Sequence, residues 1–272
     1  MAYRVVMVGC GNMGYAMLAG WLKAGRLTPS DVFVVEPNDA LRSRAATHGV
    51  STGAVATDIP AGASTEIVML AVKPQVIRDV TAKYTSFAEA GSTFLSVAAG
   101  TGVATFTEIL GEETPIIRCM PNTPAAIGKG MMVVYANAFV ARPTLAFVNT
   151  LLEASGAVTE IDDEALMDAV TAVSGSGPAY VFHFIECLTS AAEAAGLPPE
   201  TAKLLAMQTV YGAAALAFES DEEPGTLRQQ VTSPNGTTAA ALDVLMGGDR
   251  LKNLVIEAVE AARRRSVELG KA

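Results

Sequence analysis

The sequence predicts an α/β fold: an N-terminal Rossmann-type, doubly wound sheet over residues 1–161, then an all-α C-terminal dimerisation domain over 162–272. Three observations predict it. Short apolar runs alternate with helical segments through the first half, the pattern of a parallel sheet covered on both faces. Strand signals vanish from Asp162 onward. A chain of 272 residues also lies near the size at which one core divides into two.

Residues 3–8 form a β-rich run ending in glycine, followed by a helix over 12–24 and a strand in DVFVVE, 31–36. A helix over 39–47 leads to EIVMLAV, 66–72, apolar almost throughout and therefore a buried strand. Pro74 can open the next helix, because its missing N–H is not needed in a first turn. Further strands are STFLSVAA (92–99), PIIRCM (115–120) and MMVVYA (131–136). The second half reads as helices over 176–196, 198–219, 224–231, 236–246 and 249–269. Segment 177–218 is apolar nearly all round, with only Glu186, Glu193, Glu200 and Lys203 charged. Such helices are buried, and a domain this small cannot surround two of them, so a homodimer through the helical domain is expected.

Composition narrows the function classes. A net charge of −9, with no basic stripe to offset it, argues against a nucleic-acid binder. Arg263, Arg264 and Arg265 are the one concentrated basic run, and near a helix C-terminus they complement its dipole. Two histidines and three scattered cysteines (Cys10, Cys119 and Cys187) give no metal-ligand spacing, so no metal is expected. Sparse, unpaired cysteines fit reduced thiols in the cytoplasm. Glycines divide the apolar N-terminus into a strand and a helix, and no other run is long enough to span a bilayer; no membrane association is expected.

The first chemical motif is VGCGNMG, 8–14. Gly9, Gly11 and Gly14 have G-x-G-x-x-G spacing between a strand and a helix. They would serve a tight turn, close approach to a pyrophosphate, and helix–strand packing, respectively. The helix N-terminus adds N–H groups and positive dipole for the phosphates. Glu36 ends the next strand, where a carboxylate can take hydrogen bonds from the adenine ribose and repel a 2′-phosphate, a tilt toward NADH. Arg42 and Arg44 on the following helix read as solvated, though they could reach the same corner. AVKPQ (71–75) and CMPNTPA (119–125) end two further strands, where ligands of such sheets bind. Lys73 could be a cation beside the coenzyme or an ordinary surface lysine. Asn122 and Thr123 could offer polar groups or simply form a rigid turn.

In the helical half, VTSPNGTT (231–238) interrupts Ala- and Leu-rich segments and then resumes a helix at once. Free N–H groups there would suit a carboxylate, unless Thr237 or Thr238 merely caps the helix. Ser176 is a plausible cap before a buried helix. His183 with Glu186 reads as a helix-interface pair rather than an acid/base pair.

The ordered set GCGNMG, AVKPQ, SVAAG, MPNTPA, DAVTAVSGSGPAYVF and VTSPNGTT resembles the Δ1-pyrroline-5-carboxylate reductase family over essentially the whole chain. The resemblance implies reduction of a cyclic imine by NADPH or NADH to give L-proline, and homodimers that can build larger rings. It implies a coenzyme site of Gly9, Gly11, Asn12, Met13, Gly14, Glu36, Ala71, Val72, Lys73, Pro74, Val97, Ala99, Asn122 and Gln230. It implies a substrate site of Asp221, Ser233, Gly236, Thr237 and Thr238, with backbone around 236–238 gripping the carboxylate and the Thr238 hydroxyl on the ring nitrogen. Asp221 also reads as part of a solvated acidic loop. Asn235 stands where the family usually has glycine, and asparagine tolerates positive φ better than most residues. Alternatives are a reductase of another cyclic ketimine, a β-hydroxyacid dehydrogenase, and a non-catalytic dinucleotide-binding protein. SGSGPAYVFHFIE lacks the lysine that would mark the second.

Overall fold

The computed structural model describes residues 2–270. Strand β1 (Ala2–Val8) leads into helix α1 (Asn12–Lys23), then β2 (Val32–Val35), α2 (Asp39–Ala46), β3 (Ser51–Gly53) and β4 (Ser64–Leu70). Next come the short helices α3 (Ile77–Thr81) and α4 (Thr85–Glu89), then β5 (Thr93–Ser96), α5 (Val103–Leu110) and β6 (Ile116–Met120). The sheet is completed by β7 (Gly130–Ala136), α6 (Arg142–Leu152) and β8 (Gly156–Glu160). After the one-turn α7 (Met167–Val170) follow α8 (Gly177–Ala194), α9 (Pro199–Glu219), α10 (Pro224–Gln230), α11 (Thr237–Met246) and α12 (Arg250–Leu269).

The eight strands pair in the order β3-β2-β1-β4-β5-β6-β7-β8. The first six are parallel, but β7 runs antiparallel to β6. An all-parallel sheet was expected. Only residues 121–129 join these two strands, and a parallel return needs a crossover of about a dozen residues or more. With α6 as the crossover, β8 then lies parallel to β7. The expected strands all occur. The two edges, β3 and β8, carry no apolar run and were not expected; STG and GAVTE are short, STG runs from exposed Ser51 to buried Gly53, and no residue of GAVTE is buried.

One face of the sheet packs Val5, Met7, Val34 and Met69 against Met17, Leu18 and Trp21 of α1 and Leu151 of α6. The other packs Val6, Val68 and Phe94 against Ile77, Tyr84 and Phe106. Each such buried side chain contributes about 1.5–3 kcal/mol. These two layers hold the carboxyl ends of β1, β4, β5 and β6 in register.

By contacts, the chain divides into one unit of residues 1–176 with 262–272 and another of 177–261. The expected boundary lay between 161 and 162. Residues 164–168 belong with the first unit because their side chains are tied to it: Glu164 pairs with Arg118 of β6, and Asp168 accepts a hydrogen bond from Ser266 near the end of α12. Among the described residues, no helix is long and apolar enough to cross a membrane, and no cluster of His, Cys, Asp and Glu could hold a metal ion.

Candidate active site

The turn between β1 and α1 is built by glycines with separate duties. Gly9 has φ +86°, and a Cβ there would meet the Ala71 carbonyl oxygen at 2.7 Å and Val72 Cγ1 at 2.8 Å. Gly14 would bring a Cβ to 2.7 Å from the Gly9 oxygen. At Gly11 a Cβ would meet nothing within 4 Å. The protein's own packing therefore explains Gly9 and Gly14 but not Gly11, whose bare backbone faces open space. Asn12 and Met13 start α1, and its N-cap residue, Gly11, supplies no side-chain cap. Open space over an uncapped helix N-terminus fits a pyrophosphate.

Glu36 already has hydrogen-bond partners within the protein. It is only 6% exposed, and its two oxygens accept the Cys10 N–H at 2.7 Å and the Asn38 N–H at 2.9 Å. The carboxylate braces the glycine-rich turn against the β2–α2 loop. Arg42 and Arg44 are not simply solvated either. Arg42 donates to the Glu36 carbonyl at 2.9 Å; Arg44 donates to the carbonyls of Cys10 and Gly11 and lies 4.0 Å from the centre of the Tyr15 ring. Burial pushes the Cys10 thiol up to about 11, against the opposing pull of Arg44 and with some help from Glu36.

Beside this turn lie the ends of β4 and β5. Ala71 donates its N–H to Val8 at 2.8 Å, and Val97 donates to Leu70 at 3.2 Å. Lys73 is exposed, and Pro74 opens a single 3₁₀ turn into α3. Ala99 is half-buried in the loop after β5. Asn122, just beyond β6, has partners within the protein. Its amide nitrogen donates to the Ser174 carbonyl at 3.2 Å, and its oxygen accepts the Met131 N–H at 2.9 Å. It ties the strand end to residues 171–175, which form a π turn.

In the helical unit, Asn235 has φ +57°, so the asparagine does occupy the left-handed region. The Gly236 N–H donates to the Ser233 carbonyl at 3.0 Å, closing the turn. Gly236 is the N-cap of α11 with no side-chain cap, so neither Thr237 nor Thr238 fills the capping role. Thr238 is half-buried, Thr237 and Ser233 exposed. Asp221 is exposed in the acidic loop before α10, and Gln230 donates to Glu222. His183 Nδ1 lies 3.0 Å from Glu186 on the exposed side of α8.

The mostly parallel sheet, the glycine-rich turn and its adjoining strand ends define a Rossmann-type dinucleotide-binding protein with a helical unit. Residues 164–269 match the family model described as pyrroline-5-carboxylate reductase dimerisation; residues 4–100 match NADP oxidoreductase coenzyme F420-dependent. The chain is 40% identical over 268 residues to a pyrroline-5-carboxylate reductase of Pseudomonas aeruginosa, covering 98% of this chain and 97% of that one. A solved pyrroline-5-carboxylate reductase from Coxiella burnetii superposes with a TM-score of 0.92 at 34% identity, over 99% of both chains. The Plasmodium falciparum pyrroline carboxylate reductase with NADP bound gives 0.84 at 29% identity, over 98% of both. The chain belongs to the pyrroline-5-carboxylate reductase family.

Sequence reasoning passed over Arg118 and Glu164. The signal was present: an arginine inside the apolar strand PIIRCM must be paired once buried.

Proposed function

We propose that this protein reduces 1-pyrroline-5-carboxylate to L-proline with NADPH or NADH, the last step of proline synthesis. The observation that carries the reading is the uncapped N-terminus of α11 in VTSPNGTT. Its first-turn N–H groups and dipole suit the single carboxylate of such a substrate. Gly9, Gly11, Asn12, Met13 and Gly14 would hold the dinucleotide's pyrophosphate, with Ala71, Val72, Lys73, Pro74, Val97 and Ala99 along the adjoining strand ends. When bound, the reduced nicotinamide supplies a hydride to the carbon of the ring C=N bond.

The chain's own task is to bind and orient. An imine protonated on nitrogen is already a good hydride acceptor, so no strong general acid is required, and orientation with electrostatics can supply most of the rate. Backbone N–H groups of 236–238 hold the carboxylate, and the Thr238 hydroxyl hydrogen-bonds the ring nitrogen. The electron pair of the C=N bond passes to that nitrogen, which keeps its proton and becomes the amine of proline. Asp221 and Ser233 complete the polar surroundings; Gln230 serves the coenzyme once it exchanges Glu222 for it.

The tilt toward NADH rested on Glu36. With its oxygens holding backbone N–H groups and Arg44 beside the same turn, we infer that a 2′-phosphate is admitted and that both nucleotides serve. The protein is read as a cytosolic homodimer through its helical unit, able to assemble into larger rings. One assay tests the function: NADPH and NADH oxidation followed with pyrroline-5-carboxylate, a six-membered cyclic imine and a hydroxy acid in parallel. Oxidation only with the hydroxy acid, or with none of them, would overturn the reading.

A further inference from the structure

The loop from β5 to α5, residues 97–102, stands at the same end of the sheet as the glycine-rich turn, joined through Val97 to Leu70 and through Ala71 to Val8. In a doubly wound sheet this end receives the ligand. The loop is fixed from behind by one carboxylate. Glu164 Oε1 accepts the Val103 N–H at 2.7 Å and Nη1 of Arg118 at 2.6 Å. Val103 is the first residue of α5, whose N-cap, Gly102, has no side chain to offer. Glu164 thus does for α5 what a local cap would do, and places negative charge at the positive end of the helix dipole. Arg118 is 9% exposed in the interior of the sheet, so the same carboxylate also neutralises a buried cation. The end of α12 lies close to the same loop. A Cβ on Gly100 would meet the Ser266 oxygen, Leu269 Cβ and the Gly270 nitrogen at 3.4 Å, and Ser266 is itself anchored by its 2.6 Å hydrogen bond to Asp168.

We propose that Glu164 is a positioning residue for coenzyme binding: through Val103 and Arg118 it sets the backbone of 97–102 against which the nicotinamide half of the dinucleotide rests. The role depends on the reductase reading above. An error of about 1 Å in a positioned group can cost two orders of magnitude in rate, so a brace on this loop matters to the reaction as well as to the fold.

The test uses the full-length protein with Glu164→Ala and Glu164→Gln. NADPH affinity is measured by the nucleotide's own fluorescence, together with kcat, both KM values and the melting temperature. Glu164→Ala is expected to raise the NADPH Kd and its KM about tenfold, with the KM for the imine changed less than about twofold. Glu164→Gln keeps an acceptor for the Val103 N–H and is expected to recover much of that loss, although it forfeits the charge on Arg118. If the alanine variant does not fold, the glutamine variant and Glu164→Asp, which keeps the charge but withdraws it from Val103, carry the comparison. Unchanged NADPH affinity in a folded variant, with only the melting temperature lowered, would overturn the positioning role and leave the reductase reading standing. An unaltered protein that binds neither nucleotide would overturn both.

Discussion

Thr238 is the residue on which the proposed chemistry turns. It lies one position inside α11, half-buried, beyond a glycine N-cap that leaves the helix end free. Removing a hydrogen bond made to the reacting group costs on the order of 10²-fold in rate, so Thr238→Ala should lower kcat/KM by about that factor with coenzyme affinity and fold intact. An unaltered kcat/KM would remove Thr238 from the mechanism. The buried thiols give a prediction about stability. Burial raises the Cys10 thiol from 9.0 to about 11, and burial also pushes Cys119 and Tyr84 up. These groups stay neutral in the folded protein while the unfolded chain ionises them. Stability should therefore hold below pH 9.0 and fall as the pH rises toward about 11. Denaturant midpoints across that range should decline less steeply in Cys10→Ala; an identical slope would show that Cys10 contributes nothing.

Among the elements, the β1–α1 turn is the most tightly determined. Gly9→Ala would force an L-residue into φ +86° and press its Cβ against Ala71 and Val72. The strain alone is about 1–3 kcal/mol, and NADPH binding should weaken with it. Gly11→Ala meets no protein atom, so it should fold normally and lose coenzyme affinity alone. Equal nucleotide binding in Gly11→Ala and the unaltered protein would mean that the open space is not the pyrophosphate site. The main strands and helices were legible because each carries its own periodicity: VVMV and IVML read as buried strands by themselves. The edge strands β3 and β8 and the reversal of β7 were not legible. They are set by what lies beside them and by how few residues separate β6 from β7.

At the scale of the whole molecule, the helical unit does not close on itself. In α8, Val181, Phe182 and Phe184 are exposed; in α9, Leu204, Met207, Tyr211 and Phe218 are, the last by 83%. Of the residues in α8 to α11, only Ala202 and Ala206 are buried. Apolar surface on that scale is covered in solution by another chain. Sedimentation velocity at micromolar concentration should give a dimer or a larger assembly, and Phe182→Asp should shift it toward smaller species. A folded monomer from the unaltered protein would refute the expectation.

By itself the sequence determined the strand–turn–helix with its three glycines, the order of the motifs, and the family, because these depend on local periodicity and on residue types at fixed spacing. It also marked VTSPNGTT as a break in the helices and admitted positive φ at Asn235. Tertiary structure alone decided what the polar side chains do. Glu36 turned inward to hold the turn, Asn122 joined two backbone segments, and Glu164 reached from beyond β8 to Arg118 and Val103. A carboxylate or amide bonds to whichever donors folding brings within about 3 Å. That proximity is a property of packed elements, so no window of sequence contains it.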